Sequence, residues 1–411
     1  MGLHAVWGAL PWIRAGPGPL LVKALISVCC LRTWARGARF WARWDSPSSL
    51  DVNRLPVALG LRAMMPGMSA SLDPLTSLLV DYIEIPSVTG NEEDYGNALA
   101  RSLEQRGLAV ERQEVEPGRF NLLARAGQPE VVFCTHLDTV PPFFGSRVDA
   151  DFVHGRGSCD AKGQAVSMLS AVENLLKAGE DRVGLLFTVG EEVLGDGAMH
   201  ANASLADPWA PNFIVVGEPT GSRFVKAHKG VFHAQLTAHG VAGHSSQDIG
   251  PSAVHELVQA LERILAAEWG RAEGIGSGTV NLGCIEGGVA SNVVAEFAKA
   301  SFLLRSVEDP AVVQDRLLDL LGEHVDLRVN AGPYGPVRFH VPEGEEGVVV
   351  AFGTDAPHLP KWGQPLLFGP GAIIDAHTDH EKVSRSEMAA ASARLVSVAE
   401  ELLSSLDASA T

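Results

Sequence analysis

The sequence predicts an α/β fold, a mixed, largely parallel sheet flanked by helices, with a ferredoxin-like α+β domain inserted into it. Continuous apolar runs at residues 131–135, 183–189 and 213–216 are typical of strands buried on both faces. Helical spacing of apolar residues between such runs, as at residues 160–177, indicates strands that alternate with helices and a sheet covered on both sides. The flanking segments predict further elements, namely helices between residues 73 and 106, strands over 108–115 and 365–369, and a helix over 386–403.

The pattern changes after Glu218. Residues 230–239 alternate between apolar and polar, as in a strand with one solvated face. The elements predicted next are a helix, two strands, a helix and a strand, at residues 251–269, 279–285, 292–304, 310–321 and 324–329. This β-α-β-β-α-β order is ferredoxin-like. We therefore expect a larger domain formed by residues 68–223 and 336–411, interrupted by a smaller domain at residues 224–335.

Charge is unevenly distributed along the chain. The formal net charge of the 411 residues is −17, but residues 1–67 carry +6 and the remainder therefore carries −23. An acidic body of this kind repels phosphate groups, which argues against a nucleic-acid partner. The apolar segment at residues 18–31 is too short to span a bilayer, so no membrane partner is expected.

The first 67 residues differ in composition from the rest. Five of the eight tryptophans lie here, and prolines interrupt any amphipathic period. The apolar segment resembles part of a signal peptide, but Lys23 interrupts it and no small-residue cleavage site follows. An Arg-rich transit peptide and a translation start at Met68 stay open as alternatives, and we favour the second. Either way we expect residues 1–67 to be a disordered or loosely packed extension without a part in the chemistry.

Cysteine usage indicates a reducing compartment. Only Cys134, Cys159 and Cys284 lie outside the first 67 residues, and no pair has the C-x-x-C spacing of a zinc or redox site. We therefore expect a cytoplasmic protein. Cys159 precedes Asp160 and could offer a thiol ligand, but a small buried residue is the preferred interpretation.

Acidic and imidazole side chains follow several of the predicted strands. Glu191 and Glu192 come directly after residues 183–189, and adjacent carboxylates stay ionised only if cations or solvent neutralise them. Similar positions are held by His136, Asp138, Asp160, Glu218 and His377. Oxygen and imidazole groups from separate loops are what a divalent metal ion needs, and the carboxyl ends of strands are where such sheets bind ligands.

Each of these residues also has a purely structural interpretation. Asp160 could cap the helix that follows it, and the two glutamates could be solvated loop residues. The glycine-rich run before Asp160 lacks the spacing of a dinucleotide or phosphate loop. His380 competes with His377 as a ligand, and spacing alone does not decide between them. A metal site is therefore indicated by the combination and not by any one residue.

The combination resembles a known family, the zinc-dependent amidohydrolases. That family includes acetylornithine deacetylase, succinyl-diaminopimelate desuccinylase, aminoacylase and the glutamate carboxypeptidases. The resemblance covers about residues 70–405 and rests on six segments in the family's order and approximate spacing, HLDTVPP, GRGSCDAKG, GEE, GEPT, GHSS and GPG followed by AH. It implies a catalytic domain with an inserted dimerisation domain.

The resemblance also implies a role for each candidate residue. Asp160 would bridge two divalent ions, one bound by His136 and Glu218 and the other by Glu192 and His377. Asp138 would orient His136. Glu191 would be the general base that activates a metal-bridging water for attack on an amide carbonyl. Zinc is the first choice of metal, with cobalt or manganese as alternatives.

His244 lies in the GHSS segment of the predicted smaller domain. By the resemblance it would reach into the partner subunit's site and help to hold the carbonyl oxygen, which implies a homodimer. A serine-hydrolase triad built on His244 and Ser245 is disfavoured, because the chain contains no G-x-S-x-G elbow. A loop histidine without a catalytic role is the other alternative.

Three residues are candidates for substrate binding: Asn292, Arg305 and Thr354. A guanidinium group suits the carboxylate of an amino-acid substrate. The family often has Asp-x-Arg at this position, whereas this chain has Leu303-Leu304-Arg305, so a salt bridge that would steady the arginine is missing. Arg305 could instead be an exposed strand end. The segment 353–359, which contains Thr354, resembles acetylornithine deacetylase more than the desuccinylase.

We therefore predict a metal-dependent amidohydrolase that removes the acyl group from an N-acyl amino acid. N-acetylornithine, or a close relative such as acetyl-citrulline or acetyl-lysine, is the first choice of substrate. A desuccinylase or a carboxypeptidase-type enzyme is the alternative within the class. A non-catalytic metal-binding relative is the alternative outside it, and the presence of Glu191 disfavours it.

Overall fold

The computed structural model describes residues 72–330 and 332–409. The expectation that residues 1–67 are disordered or loosely packed concerns residues outside this range. None of the helices in the described part is long and apolar enough to cross a bilayer.

The described residues form seven α-helices, which are α1 (Pro74–Ile83), α2 (Glu93–Gln105), α3 (Lys162–Lys177), α4 (Asp196–Ala203), α5 (Ala253–Ala266), α6 (Pro310–Leu320) and α7 (Arg385–Ser409). Two of them start in the same way. The Asp73 carboxylate accepts a hydrogen bond of 2.9 Å from the backbone N–H of Thr76, and Asp309 similarly caps α6. In both helices a proline follows the cap, where its missing N–H costs no hydrogen bond.

The strands are, in chain order, β1 (Ala109–Glu116), β2 (Arg119–Arg125), β3 (Val131–His136), β4 (Arg147–Val148), β5 (Phe152–His154), β6 (Val183–Thr188), β7 (Phe213–Val216), β8 (Val225–His228), β9 (Gly230–His239), β10 (Gly243–His244), β11 (Arg271–Ala272), β12 (Gly276–Ser277), β13 (Thr279–Gly287), β14 (Val293–Val294), β15 (Phe297–Ser306), β16 (Val325–Val329), β17 (Val337–Arg338), β18 (Val348–Val350), β19 (Gln364–Leu367) and β20 (Lys382–Ser384). A 3₁₀ helix spans Ala356–His358.

The central sheet has the strand order β1-β2-β6-β3-β7-β19. β6, β3, β7 and β19 run parallel to one another, while β1 and β2 pair antiparallel at one edge. The mixed, largely parallel sheet is therefore confirmed. His136 lies opposite Thr188, and Cys134 lies opposite Val216, so β3, β6 and β7 end close to one edge of the sheet.

Two apolar layers cover the central sheet because successive side chains of a strand point to opposite faces. On one face, side chains of the sheet pack with α1, α2, α3 and α7, and the core there includes Leu79, Leu99, Phe133, Leu169, Leu185 and Leu395. On the other face, they pack with α4 and the 3₁₀ helix around Val132, Leu186, Ala198, Trp209, Ala356 and Trp362. The predicted helical cover on both sides is thus present.

The inserted segment forms a four-stranded antiparallel sheet in the order β13-β15-β9-β16. In chain order this is second, third, first and fourth, which is the ferredoxin-like topology that the sequence predicts. Its separate core contains Phe232, Leu236, Leu257, Phe302 and Leu317. The prediction of one strand over residues 292–304 was wrong in its first part. β14 leaves this sheet to pair with β10, and the carbonyl oxygen of Ala295 accepts from the N–H of Ala253 at 2.8 Å.

Several elements were not predicted. They include strand β2, helix α4 and the small sheets formed by β17-β8-β18, β20-β5-β4 and β11-β12. Most of these strands have two to four residues, which is too short for an alternating period to show in the sequence.

Phe302→Ala tests whether the inserted sheet has a packed core of its own. Phe302 is 2% exposed, so truncation leaves a cavity and should lower the free energy of unfolding by about 3–5 kcal/mol. Phe297 on the same strand is 45% exposed, and Phe297→Ala should cost less than about 1 kcal/mol. Urea unfolding of both variants measures the difference, and equal losses would contradict this description of the core.

Candidate active site

Side chains that can bind a metal ion meet at the edge where β3, β6 and β7 end. His136 is the last residue of β3, Glu191 and Glu192 follow β6, and Glu218 follows β7. Two further residues come from loops, Asp160 just before α3 and His377 between β19 and β20. His136, Asp160 and Glu218 are buried, whereas the His377 side chain is 50% exposed. One side of the cluster is therefore open to a ligand.

Asp160 lies between the two imidazoles. Its Oδ1 is 3.0 Å from Nε2 of His136, and its Oδ2 is 3.3 Å from Nε2 of His377. The same nitrogen of His377 lies 2.9 Å from Oε2 of Glu192. Asp160 thus presents one oxygen to each imidazole, as a carboxylate shared between two ligand sets would do. His380, the competing histidine, instead contacts the exposed side chain of Asp379.

The donor atoms fit divalent metal ions. His136, Asp160 and Glu192 offer ligand atoms within 4.8 Å of one another, and so do His136, Glu191 and Glu218. Two ligands bound at 2.0–2.1 Å to a tetrahedral ion are about 3.3 Å apart, close to the distances between these side chains. The set of imidazole nitrogens and carboxylate oxygens suits zinc and other first-row ions.

The electrostatics of the cluster also favour a bound cation. Burial raises the pKa of Glu191 and of Glu218 well above the ordinary glutamate value, since a charged carboxylate loses its solvation there. Hydrogen bonds to Asp160 and Glu192 raise the pKa of His377 to about 10. Four acids, Asp160, Glu191, Glu192 and Glu218, meet only two imidazoles here, and a divalent cation would offset this excess of negative charge.

Asp138 links the two loops of the cluster. Its Oδ1 accepts from the backbone N–H of Glu191, and its Oδ2 from that of Glu192, both at 3.1 Å. The Thr89 hydroxyl donates to Oδ2 at 2.8 Å. Nδ1 of His136 is 3.0 Å from the carbonyl oxygen of Asp138 and 3.4 Å from its Oδ1. The carboxylate therefore holds the two-glutamate turn at least as directly as it holds His136.

An ion pair packs against the same turn and also supports it. The Arg119 guanidinium forms a two-pronged pair with Asp196, at 2.7 and 3.1 Å, and lies 3.3 Å from the buried carboxylate of Glu92. Gly190 has a φ of +74°, and a Cβ built on it would come within 1.9 Å of Oδ1 of Asp196. The Arg119–Asp196 pair therefore packs directly against the residue before Glu191, and only glycine fits there.

Glu381 holds the Asp160 loop in place. This side chain is fully buried, pairs with the buried guanidinium of Arg156, and accepts from the backbone N–H groups of Cys159 and Asp160 at 2.9 and 3.0 Å. Sequence reasoning missed Glu381, although it lies only four residues after His377. A charged residue immediately before strand β20, whose central residue Val383 is buried, was the available signal.

Arg305 and Thr354 lie at cavities beside the cluster. Arg305 lines a cavity of about 240 Å³ together with Asp160, Glu191, Glu192, Glu218 and His377. Thr354 lines an adjoining cavity, and its hydroxyl contacts Nε2 of His228 at 3.2 Å. Tyr334, which sequence reasoning did not single out, lines both cavities and separates them.

His244 and Asn292 lie elsewhere in the protomer. Both are exposed, and the carbonyl oxygen of Asn292 accepts from the N–H of Ser245, next to the β10–β14 pair. Nδ1 of His244 contacts the Ser246 hydroxyl at 2.8 Å. Neither residue lines either cavity. Within one protomer, His244 and Asn292 therefore lie outside the candidate active site.

Comparison with known proteins identifies the family. Residues 226–327 match the family model described as a peptidase dimerisation domain. A peptidase M20 domain-containing protein of Schizosaccharomyces pombe is 36% identical over 329 residues, which is 77% of this chain and 82% of the relative. The chain belongs to the M20 peptidase family. It is a hydrolase that acts on amide bonds.

Other relatives of this M20 peptidase carry peptidase names. A protein of Aspergillus flavus named as a probable carboxypeptidase is 33% identical over 363 residues, covering 77% of this chain and 87% of the relative. The fold is similar to that of aminopeptidase PepT from Bacillus cereus, with a TM-score of 0.68 and 20% identity over 80% of this chain and 98% of that one. The broader resemblance is confirmed, while the likeness to acetylornithine deacetylase stays a prediction.

Glu381→Gln tests the support of the Asp160 loop. The change leaves the charge of Arg156 buried and unpaired, which should lower the free energy of unfolding by about 3–5 kcal/mol. Zinc content after dialysis should also fall, because one amide oxygen replaces the two carboxylate oxygens that bind Arg156 and the Asp160 loop. The matched control is Asp379→Asn, two residues away with a 95% exposed side chain, which should change neither quantity. Wild-type stability and zinc content in Glu381→Gln would contradict this role.

Proposed function

We propose that this M20 peptidase hydrolyses an amide bond whose leaving half is an α-amino acid with a free carboxylate. The observation that carries this is Arg305. It is the one arginine or lysine lining the cavity of the metal-ligand candidates, and within the described residues its side chain forms no ion pair or hydrogen bond. A free guanidinium beside so many carboxylates suits a substrate anion bound two-pronged.

Two kinds of substrate have a leaving half with a free carboxylate. An N-acyl amino acid, with N-acetylornithine first and acetyl-citrulline or acetyl-lysine next, fits the deacetylase-like segment around Thr354. A dipeptide or peptide C-terminus fits the relative named as a carboxypeptidase. Both present a carboxylate to Arg305 and an amide carbonyl to the cluster.

The chemistry divides among the residues of the cluster. Five of them would hold two divalent cations, zinc by preference, with Asp160 between His136 and Glu218 on one side and Glu192 and His377 on the other. When bound, such cations lower the pKa of a water molecule and polarise an amide carbonyl. Glu191 takes a proton from the attacking water and gives it to the leaving amine. Its raised pKa suits a group that must hold a proton between two steps.

We further propose a homodimer, in which His244 and Asn292 act in the partner subunit's site. The match of residues 226–327 to a dimerisation domain supports this, as does the exposed position of both residues. A cytoplasmic location is supported by Cys134, Cys159 and Cys284, which are all free.

A substrate panel with metal control tests the proposed function. The full chain, freed of metal by a chelator, should not hydrolyse N-acetyl amino acids or dipeptides, and added Zn²⁺ or Co²⁺ should restore release of the amine. Amidation of the substrate carboxylate should lower kcat/KM by about tenfold or more, because Arg305 loses a charged partner. Hydrolysis that persists after chelation, or no hydrolysis of any member, would refute the proposal.

Substitution of the two adjacent glutamates should give different failures. Glu191→Gln should keep bound zinc and lower kcat by about 10²–10⁴-fold, because it removes the proton carrier. Glu192→Ala should lose zinc, because it removes a ligand of the His377 side. Zinc content and kcat measured on both variants separate the two roles. Equal loss of zinc from both would refute this division.

A further inference from the structure

The cavity beyond Tyr334 holds a buried acid that the proposed mechanism does not use. This cavity, here called the Asp355 cavity, measures about 420 Å³ and shares Glu191, Glu192, Val231 and Tyr334 with the cavity of the cluster. Asp355 lines it and is 2% exposed. Its Oδ2 accepts from the Thr188 hydroxyl at 2.6 Å, whereas its Oδ1 is buried and has no hydrogen-bond partner among the described residues.

An unpartnered buried carboxylate oxygen calls for an explanation, because the lost solvation of a charged group is costly. Oδ1 faces the turn after the two glutamates, since a Cβ built on Gly195 would lie 3.4 Å from it. Gly195 itself lines the same cavity. The free oxygen therefore lies next to the wall of the Asp355 cavity.

Apart from the two glutamates shared with the cluster, the other polar side chains of this cavity are already engaged or uncharged. The Thr354 hydroxyl contacts His228, and His233 contacts the Asn330 amide at 2.8 Å. Burial lowers the pKa of His358, whose ring packs edge-on against Tyr334. No lysine or arginine among the described residues lines the cavity, although three carboxyl side chains do.

Several of the other side chains that line the Asp355 cavity are apolar. Leu194, Val231 and Leu303 line the cavity, and so does the aromatic side chain of Tyr334. Apolar walls suit methylene groups, and an aromatic ring beside an acid suits a cation.

We propose that the Asp355 cavity is a subsite for a primary ammonium group of the substrate, with Asp355 as its charged partner. This deepens the proposed function and rests on it. Arg305 would hold the carboxylate in one cavity while the ammonium lies in the next. The ammonium has two possible sources, the side chain of the leaving amino acid or the free N-terminus of the acyl half of a dipeptide.

Matched substrates test this subsite and identify the source. N-acetyl-ornithine against N-acetyl-norleucine compares an ammonium with a methyl group on the side chain. Glycyl-norleucine against N-propionyl-norleucine makes the same comparison on the acyl half. For the zinc-loaded wild-type chain, kcat/KM should be about tenfold or more higher for the ammonium member of one pair. That pair shows which half of the substrate enters the cavity.

Asp355→Asn should reduce this preference ratio to below about threefold, because the amide keeps the shape but not the charge. The control Asp326→Asn removes the same charge from a 77% exposed side chain and should keep the wild-type ratio. Because Asp355 is buried, Asn could also impair folding. Leu194→Lys is therefore the second variant, as Leu194 is 50% exposed and an inserted ammonium would compete with that of the substrate. It too should reduce the preference ratio to below about threefold.

Three outcomes would be decisive. Equal kcat/KM within both pairs for the wild type, or a preference that survives both substitutions, would overturn the subsite while leaving the proposed function intact. Failure to hydrolyse any of the four substrates, the uncharged ones included, would count against the proposed function itself.

Discussion

The crowding of negative charge at one edge of the central sheet is the constraint on which the rest of the site depends. Glu191 and Glu192 follow β6 and Glu218 follows β7, the two strands that flank β3, and Asp160 enters from the loop before α3. Two like charges 4 Å apart repel by about 4 kcal/mol at an effective dielectric constant of 20. A protein that folds this arrangement must hold the carboxylates in place by bonds that do not neutralise them.

Hydrogen bonds to the backbone of the two loops hold the carboxylates in place without using the carboxylate oxygens. Backbone N–H groups of the glutamate turn bind Asp138, and those of the Asp160 loop bind Glu381. These contacts fix the main chain while the ligand carboxylates keep their free oxygens. The arginines that take part, Arg119 and Arg156, are paired with acids outside the ligand set. The positive charge of these two arginines is thus engaged by acids other than the ligand candidates, whose oxygens are left for a cation.

Much of this could be predicted from local sequence patterns. The apolar runs over 131–135 and 183–189 indicate buried strands because they are too short for typical helices, and the carboxyl ends of parallel strands share an edge. The bracing could not be predicted in the same way. Asp160 and Glu381 are 221 residues apart and Arg119 and Asp196 are 77 apart, and pairings over such separations leave no periodic signal. Spacing also could not decide between His377 and His380, because the choice depends on which imidazole faces Asp160.

The turn that carries the two glutamates has a tightly packed residue before them and exposed residues directly after them. Gly190 is wedged against Asp196 and tolerates no side chain, whereas Val193 and Leu194 are 67% and 50% exposed and line the Asp355 cavity. Chemistry and selectivity are therefore encoded in adjacent but separable positions. Mutational drift at residues 193 and 194 can change which substrates are accepted without disturbing the reacting groups. Substrate specificity can thus be altered, by evolution or by design, through residues of the same loop that carries the catalytic groups.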